Sequence, residues 1–206
     1  MAFIGTAEQT RISAAIAEVE RGTDAELVTV LIAASDDYRY IPLLWAALVA
    51  LIVPSALYLT PLSTAWMITA QLVTFVVLAV LLQTETIRTR LIPKSVRTLR
   101  AANMARRQFL EQGLHHTGDD TGVLIFVSEA EHYVEILVDR GISSKVDNER
   151  WSSIIENFVN DVHEGQVERG FLTALERCGE ILAEAVPKTP DNRNELDDRL
   201  ILIGYD

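Results

Sequence analysis

From Ile41 to Gln83 the chain runs 43 residues without a charged side chain: "IPLLWAALVALIVPSALYLTPLSTAWMITAQLVTFVVLAVLLQ". A helix needs about 20 apolar residues to cross the hydrocarbon core of a bilayer. This block has length for two crossings and a break between them, "YLTPLST", Tyr58 to Thr64. Pro61 cannot continue a helix, and Thr60 and Ser63 suit a turn and a cap. The pattern predicts a transmembrane hairpin over 41–83, with spans at about 41–59 and 64–83. Trp45, Tyr58 and Trp66 fall towards the span ends, where aromatic rings settle at the interface. A hairpin buried in a soluble core is the competing reading. A stretch this long with no charge argues against it. A cleaved leader is not expected, because the N-terminal segment lacks a basic region and the apolar block starts forty residues in.

The net charge of −11 is unevenly placed. Residues 84–112 form a basic belt with seven basic groups (Arg88, Arg90, Lys94, Arg97, Arg100, Arg106, Arg107) and two acidic ones. Residues 113–206 carry eight basic and twenty acidic groups. An acidic body repels phosphate backbones, so nucleic acid is not an expected partner. A basic belt beside a membrane segment points instead to the lipid bilayer and its anionic headgroups. The turn between the spans has no basic residue, whereas Arg39 precedes the block and the belt follows it. Basic flanks stay on the cytoplasmic side, so both termini are expected there. A two-span hairpin returns the chain to the side it left, which lets residues 1–40 and 84–206 join into one body.

The soluble parts alternate helix and strand. "TAEQTRISAAIAEVERGTDAE" reads as a helix with Thr6 as cap, Gln9 in the capping-box position and Ile12, Ile16 and Val19 as its apolar stripe. "ELVTVLIAAS" is a short continuous apolar run, as in a strand buried on both faces. After the spans, Pro93 to Gln112 reads as the helix of a juxtamembrane segment, 84–112. His115 to Gly122 reads as a loop, and "VLIFVS" and "YVEILVD" as a β-hairpin joined by "EAEH". "RGISSKVD" reads as a loop, and residues 148–163 as a helix with Trp151, Ile154, Ile155, Phe158, Val159 and Val162 on one face. A last helix over about 168–185, a polar tail and a short final strand "LILIGYD" complete the chain. The single cysteine, Cys178, excludes an intrachain disulfide and falls on the apolar stripe of that last helix. This order predicts a small α/β sandwich interrupted by the hairpin, with 1–40 and 113–206 as its two parts.

The stretch "GDDTGVLIFVSEAEHYVEILVDRGISSKVDNERWSSIIENF" resembles the central signature of the TPM domain family. It has an Asp–x–Gly turn (Asp120–Thr121–Gly122), a buried strand, a short acidic turn (Glu129 to Glu131), a second strand, a loop glycine (Gly141) and an acidic helix start (Asp147). "RISAAIAEVERGTDAELVTVLI" resembles the opening helix and strand of the family, and the inserted membrane pair resembles a bacterial membrane branch. The resemblance implies an α/β/α sandwich and a bacterial inner-membrane location. It also implies two activities found among members, acid phosphatase action and calcium binding through clustered acidic side chains. The glycine-rich loop of better-studied members is here "DRG", Asp139 to Gly141.

Carboxylates are the residues with chemical promise. Asp36 and Asp37 follow the first strand, Asp120 precedes the second, Asp139 ends the third and Asp147 opens a helix. Sites in open α/β sheets gather beyond strand ends, and clustered oxygen ligands suit calcium or magnesium. The competing reading makes these aspartates turn and cap residues. His115 and His116 sit near Asp119 and invite either a metal role or simple solvation. Ser128 has no Gly-x-Ser-x-Gly context and no phosphate-binding glycine loop is present. Two functions follow as expectations. One is a membrane-tethered accessory or interaction domain, with another membrane protein as a candidate partner. The other is a metal-dependent phosphoester hydrolase that needs Asp36, Asp37, Asp120, Asp139 and Asp147 in one concave site.

Overall fold

The computed structural model describes residues 4–84, 91–117, 119–190, 196 and 199–205. Arg88 and Arg90 of the basic belt, and most of the polar tail before the final strand, lie outside the described residues. The chain divides into two compact units, residues 1–35 with 100–206 and residues 36–99.

The first unit is built on a four-stranded sheet with strand order β3-β2-β1-β4. The strands are β1 (Glu26–Ile32), β2 (Gly122–Ser128), β3 (Tyr133–Val138) and β4 (Leu200–Ile203). β1 runs parallel to β2, with Glu26 opposite Gly122 and Ile32 opposite Ser128. β4 runs parallel to β1 on its other side, and β3 is antiparallel to β2. Every residue of β1 and β2 is buried, as their unbroken apolar runs predict for strands covered on both faces. β3 lies at the sheet edge and is half-exposed along its length.

The alternation of side chains divides these strands between two cores. Leu27, Leu31, Val123, Ile125 and Val127 join a core with α1 (Thr6–Arg21), α6 (Asn148–His163) and α7 (Val167–Ala185). The helices contribute Ile12 and Ile16, Trp151, Ile154 and Phe158, and Phe171, Leu175 and Leu182. Phe158 and Phe171 meet edge to face with centroids 4.9 Å apart, an arrangement worth about 0.5–1.5 kcal/mol beyond burial. Val28, Val30, Ile32, Leu124 and Phe126 fill the other core with Ala101 and Ala105 of α4 (Lys94–Glu111). Ala101 and Ala105 stand one turn apart and are fully buried. Methyl side chains there let the helix backbone lie close to the bulky strand residues. The result is the expected α/β/α sandwich.

Local details depart from the sequence expectation in two places. The cap of α1 is Gly5, whose N–H donates to the Glu8 carboxylate at 2.5 Å, rather than Thr6 with Gln9. Thr6 is already helical, and a carboxylate in the first turn suits the helix dipole better than the Gln9 amide. The "RGIS" expected as loop winds into one turn, α5 (Arg140–Ser143), because Asp139 accepts the Arg140 N–H at 2.7 Å. Cys178 is fully buried as expected, and burial pushes its thiol up to about 12.

The second unit holds α2 (Tyr40–Leu57) and α3 (Thr64–Leu81), packed along each other. They match the expected spans to within a few residues and are long and apolar enough to cross a membrane. Ala46 and Ala50 of α2 are buried, whereas α3 has no buried residue. Leu51, Ile52, Leu72 and Val80 are 63%, 64%, 60% and 67% exposed. At the base of the hairpin Tyr38, Ile41 and Ile92 form a small core with Leu91 and Val96.

Candidate functional site

Two loop clusters stand at opposite ends of the parallel strands. At the amino ends of β1 and β2, the loop before β2 meets the loop after β3, because β3 runs antiparallel and ends there. The Asp139 N–H donates to Gly122 O at 2.9 Å, and the Gly141 N–H to Asp120 O at 2.9 Å. Glu26 N donates to Thr121 O at 3.2 Å, and Thr121 Oγ1 to Asp24 O at 3.2 Å. The two signature glycines are required by this closeness. A Cβ at Gly122 would sit 2.2 Å from Leu114 O, and one at Gly141 would sit 2.4 Å from Asp119 O. Asp120 takes φ of 55°, a left-handed conformation that Asp tolerates better than most residues.

This geometry sorts the aspartates. Asp120 and Asp139 belong to one loop cluster, tied through the backbone of Gly141 and Gly122. Asp120 is exposed and Asp139 half-buried, so both carboxylates reach solvent. Asp147 precedes α6 as its N-cap residue without a capping side-chain bond. Asp36 and Asp37 follow the other end of β1. Asp36 Oδ1 accepts from Tyr38 N at 3.3 Å, and Asp37 lies 3.6 Å from Arg39. A seven-residue strand separates its ends by about 20 Å. The five therefore do not share one strand end: the β2–β3 hairpin reverses β3 and carries Asp139 away from Asp36. Among the described residues no group of three His, Cys, Asp or Glu is placed to hold a metal ion. The His115 and His116 rings lie 3.8 Å apart, and His115 Nδ1 is buried without a hydrogen-bond partner among the described residues.

Three buried carboxylates went unrecognised in the sequence. Glu20 accepts Leu27 N at 2.8 Å, and Glu26 accepts Leu196 N at 3.2 Å. At the carboxyl ends of β1 and β2, Glu131 accepts Ser35 N at 3.1 Å and the Ser128 hydroxyl, while Ser35 Oγ lies 2.8 Å from Ser128 Oγ. Ser35, Ser128 and Glu131 are all buried. The acidic turn after a buried strand was the available signal, since its second glutamate folds back on the strand it follows. Beside this network a cavity of about 450 Å³ opens between the β2–β3 turn and the carboxyl end of α6. Its apolar walls are Val127, Val134, Phe158, Val159 and Val162.

Residues 78–181 match the TPM domain. The chain belongs to the TPM domain family. The match takes in the β2–β3 hairpin of this TPM domain with Asp120, Ser128, Glu131, Asp139 and Gly141, and starts after its α1 and β1, so Glu26 and Ser35 lie before it. Its fold is similar to the NMR structure of the BA42 protein from the psychrophilic bacterium Bizionia argentinensis. That likeness has a TM-score of 0.62 at 18% identity and covers 97% of this chain and 95% of that one. No curated protein matches the chain.

Proposed function

We propose that this chain is a membrane-tethered TPM domain that works as an accessory or interaction module on the cytoplasmic face. The observation that carries the reading is the exposure of α2 and α3. Both are uncharged, α3 buries none of its residues, and only 22% of the α2 span is buried. A core helix of a soluble protein would be covered. A contiguous apolar surface of this extent calls for lipid. Lys94 and Arg97 at the start of α4 come within sixteen residues of Leu81 and suit anionic headgroups. The absence of basic residues from the 58–64 turn supports cytoplasmic termini.

Within the same reading, the solvent-facing carboxylates of Asp120 and Asp139 bind a divalent cation, calcium or magnesium, at the amino-end loops. Their shared loop cluster also supports a second reading, a metal-dependent phosphoester hydrolase at the membrane surface. In that case Asp36 and Asp37 stay outside the site.

Alkaline extraction of membranes tests the tether. The full chain is expected to remain with the lipid, and a chain lacking 41–83 to be released. Release of both would refute the anchor. Hydrolysis of p-nitrophenyl phosphate with calcium or magnesium, beside Asp120→Asn, separates the two readings. Metal-dependent turnover lost in the variant establishes the hydrolase, and no turnover in either folded protein leaves the binding module.

A further inference from the structure

The cavity at the carboxyl end of β2 has a chemical character that its apolar walls do not reveal. Its polar rim comprises Ser128, Glu129, His132, Tyr133 and His163. The hydroxyl protons here are already committed to carboxylates. Ser128 donates to Glu131, Tyr133 to Glu135 at 3.0 Å, and Tyr205 to Glu129 at 3.0 Å. Both phenols are held protonated, their pKa raised first by burial and then by the carboxylate each one faces. The main-chain donors of the turn are taken as well. Glu129 N donates to Ile32 O at 2.9 Å, Ala130 N to Ala33 O at 3.0 Å, and His132 N to Glu129 O at 3.1 Å.

What remains for a ligand is mostly lone pairs. Glu129 keeps acceptor capacity beyond its bond from Tyr205, and the imidazoles of His132 and His163 stand on the same rim. Among the described residues no lysine or arginine lines the cavity, and the formally charged group on its surface is the Glu129 carboxylate. Such a lining disfavours an anion, and among the described lining residues no cation faces the Glu129 carboxylate. The volume of about 450 Å³ falls within the range of small-molecule pockets, about 300–1,000 Å³.

We propose that this cavity binds a small organic ammonium, a primary amine carried on an apolar or aromatic body. The ammonium meets Glu129 and the imidazoles, and the body lies against Val159, Val162 and the Phe158 ring. The site is independent of the cation reading for Asp120 and Asp139, which stand at the other end of β2.

The test uses the full chain in nanodiscs of neutral lipid, titrated calorimetrically at pH 7.5 with empty nanodiscs as blank. Tryptamine is the probe, and indole-3-propionate is its anionic counterpart of similar shape. One saturable tryptamine site is expected, with indole-3-propionate at least about tenfold weaker, a difference of about 1.4 kcal/mol. Glu129→Gln keeps an acceptor for Tyr205 while removing the charge, and is expected to weaken tryptamine about tenfold or more. Val159→Trp fills the cavity and is expected to abolish binding in a protein whose circular dichroism is unchanged. Equal binding of the two indoles, no saturable tryptamine binding, or unaltered affinity in Glu129→Gln overturns the proposal. Tryptamine binding that survives Val159→Trp overturns the location.

Discussion

Thr29 stands in the middle of β1, fully buried, and its hydroxyl has no hydrogen-bond partner among the described residues. It sits between Ile125 of β2 and Leu200 of β4. By strand alternation it shares the face of Leu27 and Leu31, which point into the core under α1, α6 and α7. Thr29→Val replaces that hydroxyl with a methyl group of nearly the same shape. A buried hydroxyl without a partner costs about 1–3 kcal/mol, and the added methyl contributes up to about 0.8 kcal/mol of burial. The variant is therefore expected to gain about 1–3 kcal/mol. For a chain of this size that corresponds to a rise in Tm of about 3–10 °C. Thermal unfolding of both proteins in the same mild detergent, followed by far-UV circular dichroism, measures it. Thr29→Ser is the control: it keeps the hydroxyl, loses a methyl and is expected to melt below the parent. A Thr29→Val protein that melts at or below the parent refutes the reasoning, because the hydroxyl would then have a partner worth its burial.

Gly141→Ala places a methyl against two carbonyl oxygens of the 119–120 turn. It is expected to lower stability by about 1–3 kcal/mol, read from urea denaturation, where an unchanged midpoint would contradict the close approach. Glu131→Ala removes the acceptor for Ser35 N and the Ser128 hydroxyl; the hydroxyl can turn to Ser35 Oγ, so the stranded Ser35 N–H sets a loss of about 1–3 kcal/mol, and Glu131→Gln, which still accepts, should lose less. Cys178 has its thiol raised from 9.0 to about 12 by burial. Its contribution to stability is whole below about pH 9 and lost towards pH 12. Iodoacetamide at pH 8.5 should leave the native thiol unmodified and label it after denaturation, and rapid native labelling would contradict its burial.

Much of this architecture is written in local pattern. The apolar run of β1 announces burial on both faces, and Trp151, Ile154 and Phe158 announce the buried face of α6. The helix pair is legible because a long uncharged apolar stretch interrupted at Pro61 dictates two helices and a turn. The aspartates were legible as residues but not as a site. Whether Asp36 and Asp139 meet depends on strand direction, and the β2–β3 reversal puts them at opposite ends. The buried carboxylates were less legible still. Glu131 finds Ser35 from 96 residues away, and Glu26 finds Leu196 from 170. A glutamate in an acidic turn reads as solvated until the distant N–H that desolvates it is known. The cavity follows the same logic, since its rim is set by hydroxyls that bond carboxylates brought together only by the fold.

The central place of β1 in the sheet has a consequence for how the chain is made. β1 pairs on one side with residues 122–128 and on the other with residues 200–203. Both neighbours are translated after the apolar hairpin, and β4 emerges some 170 residues behind β1. At about 5–20 residues per second, the first strand waits roughly 10–30 s before its second edge is covered. During that interval an apolar strand with open edges is tethered to a segment long and apolar enough to cross a membrane. If the proposed bilayer anchor holds, early engagement of the hairpin would keep the nascent strand at a surface, away from other unfinished chains, until residues 200–203 close the sheet around it.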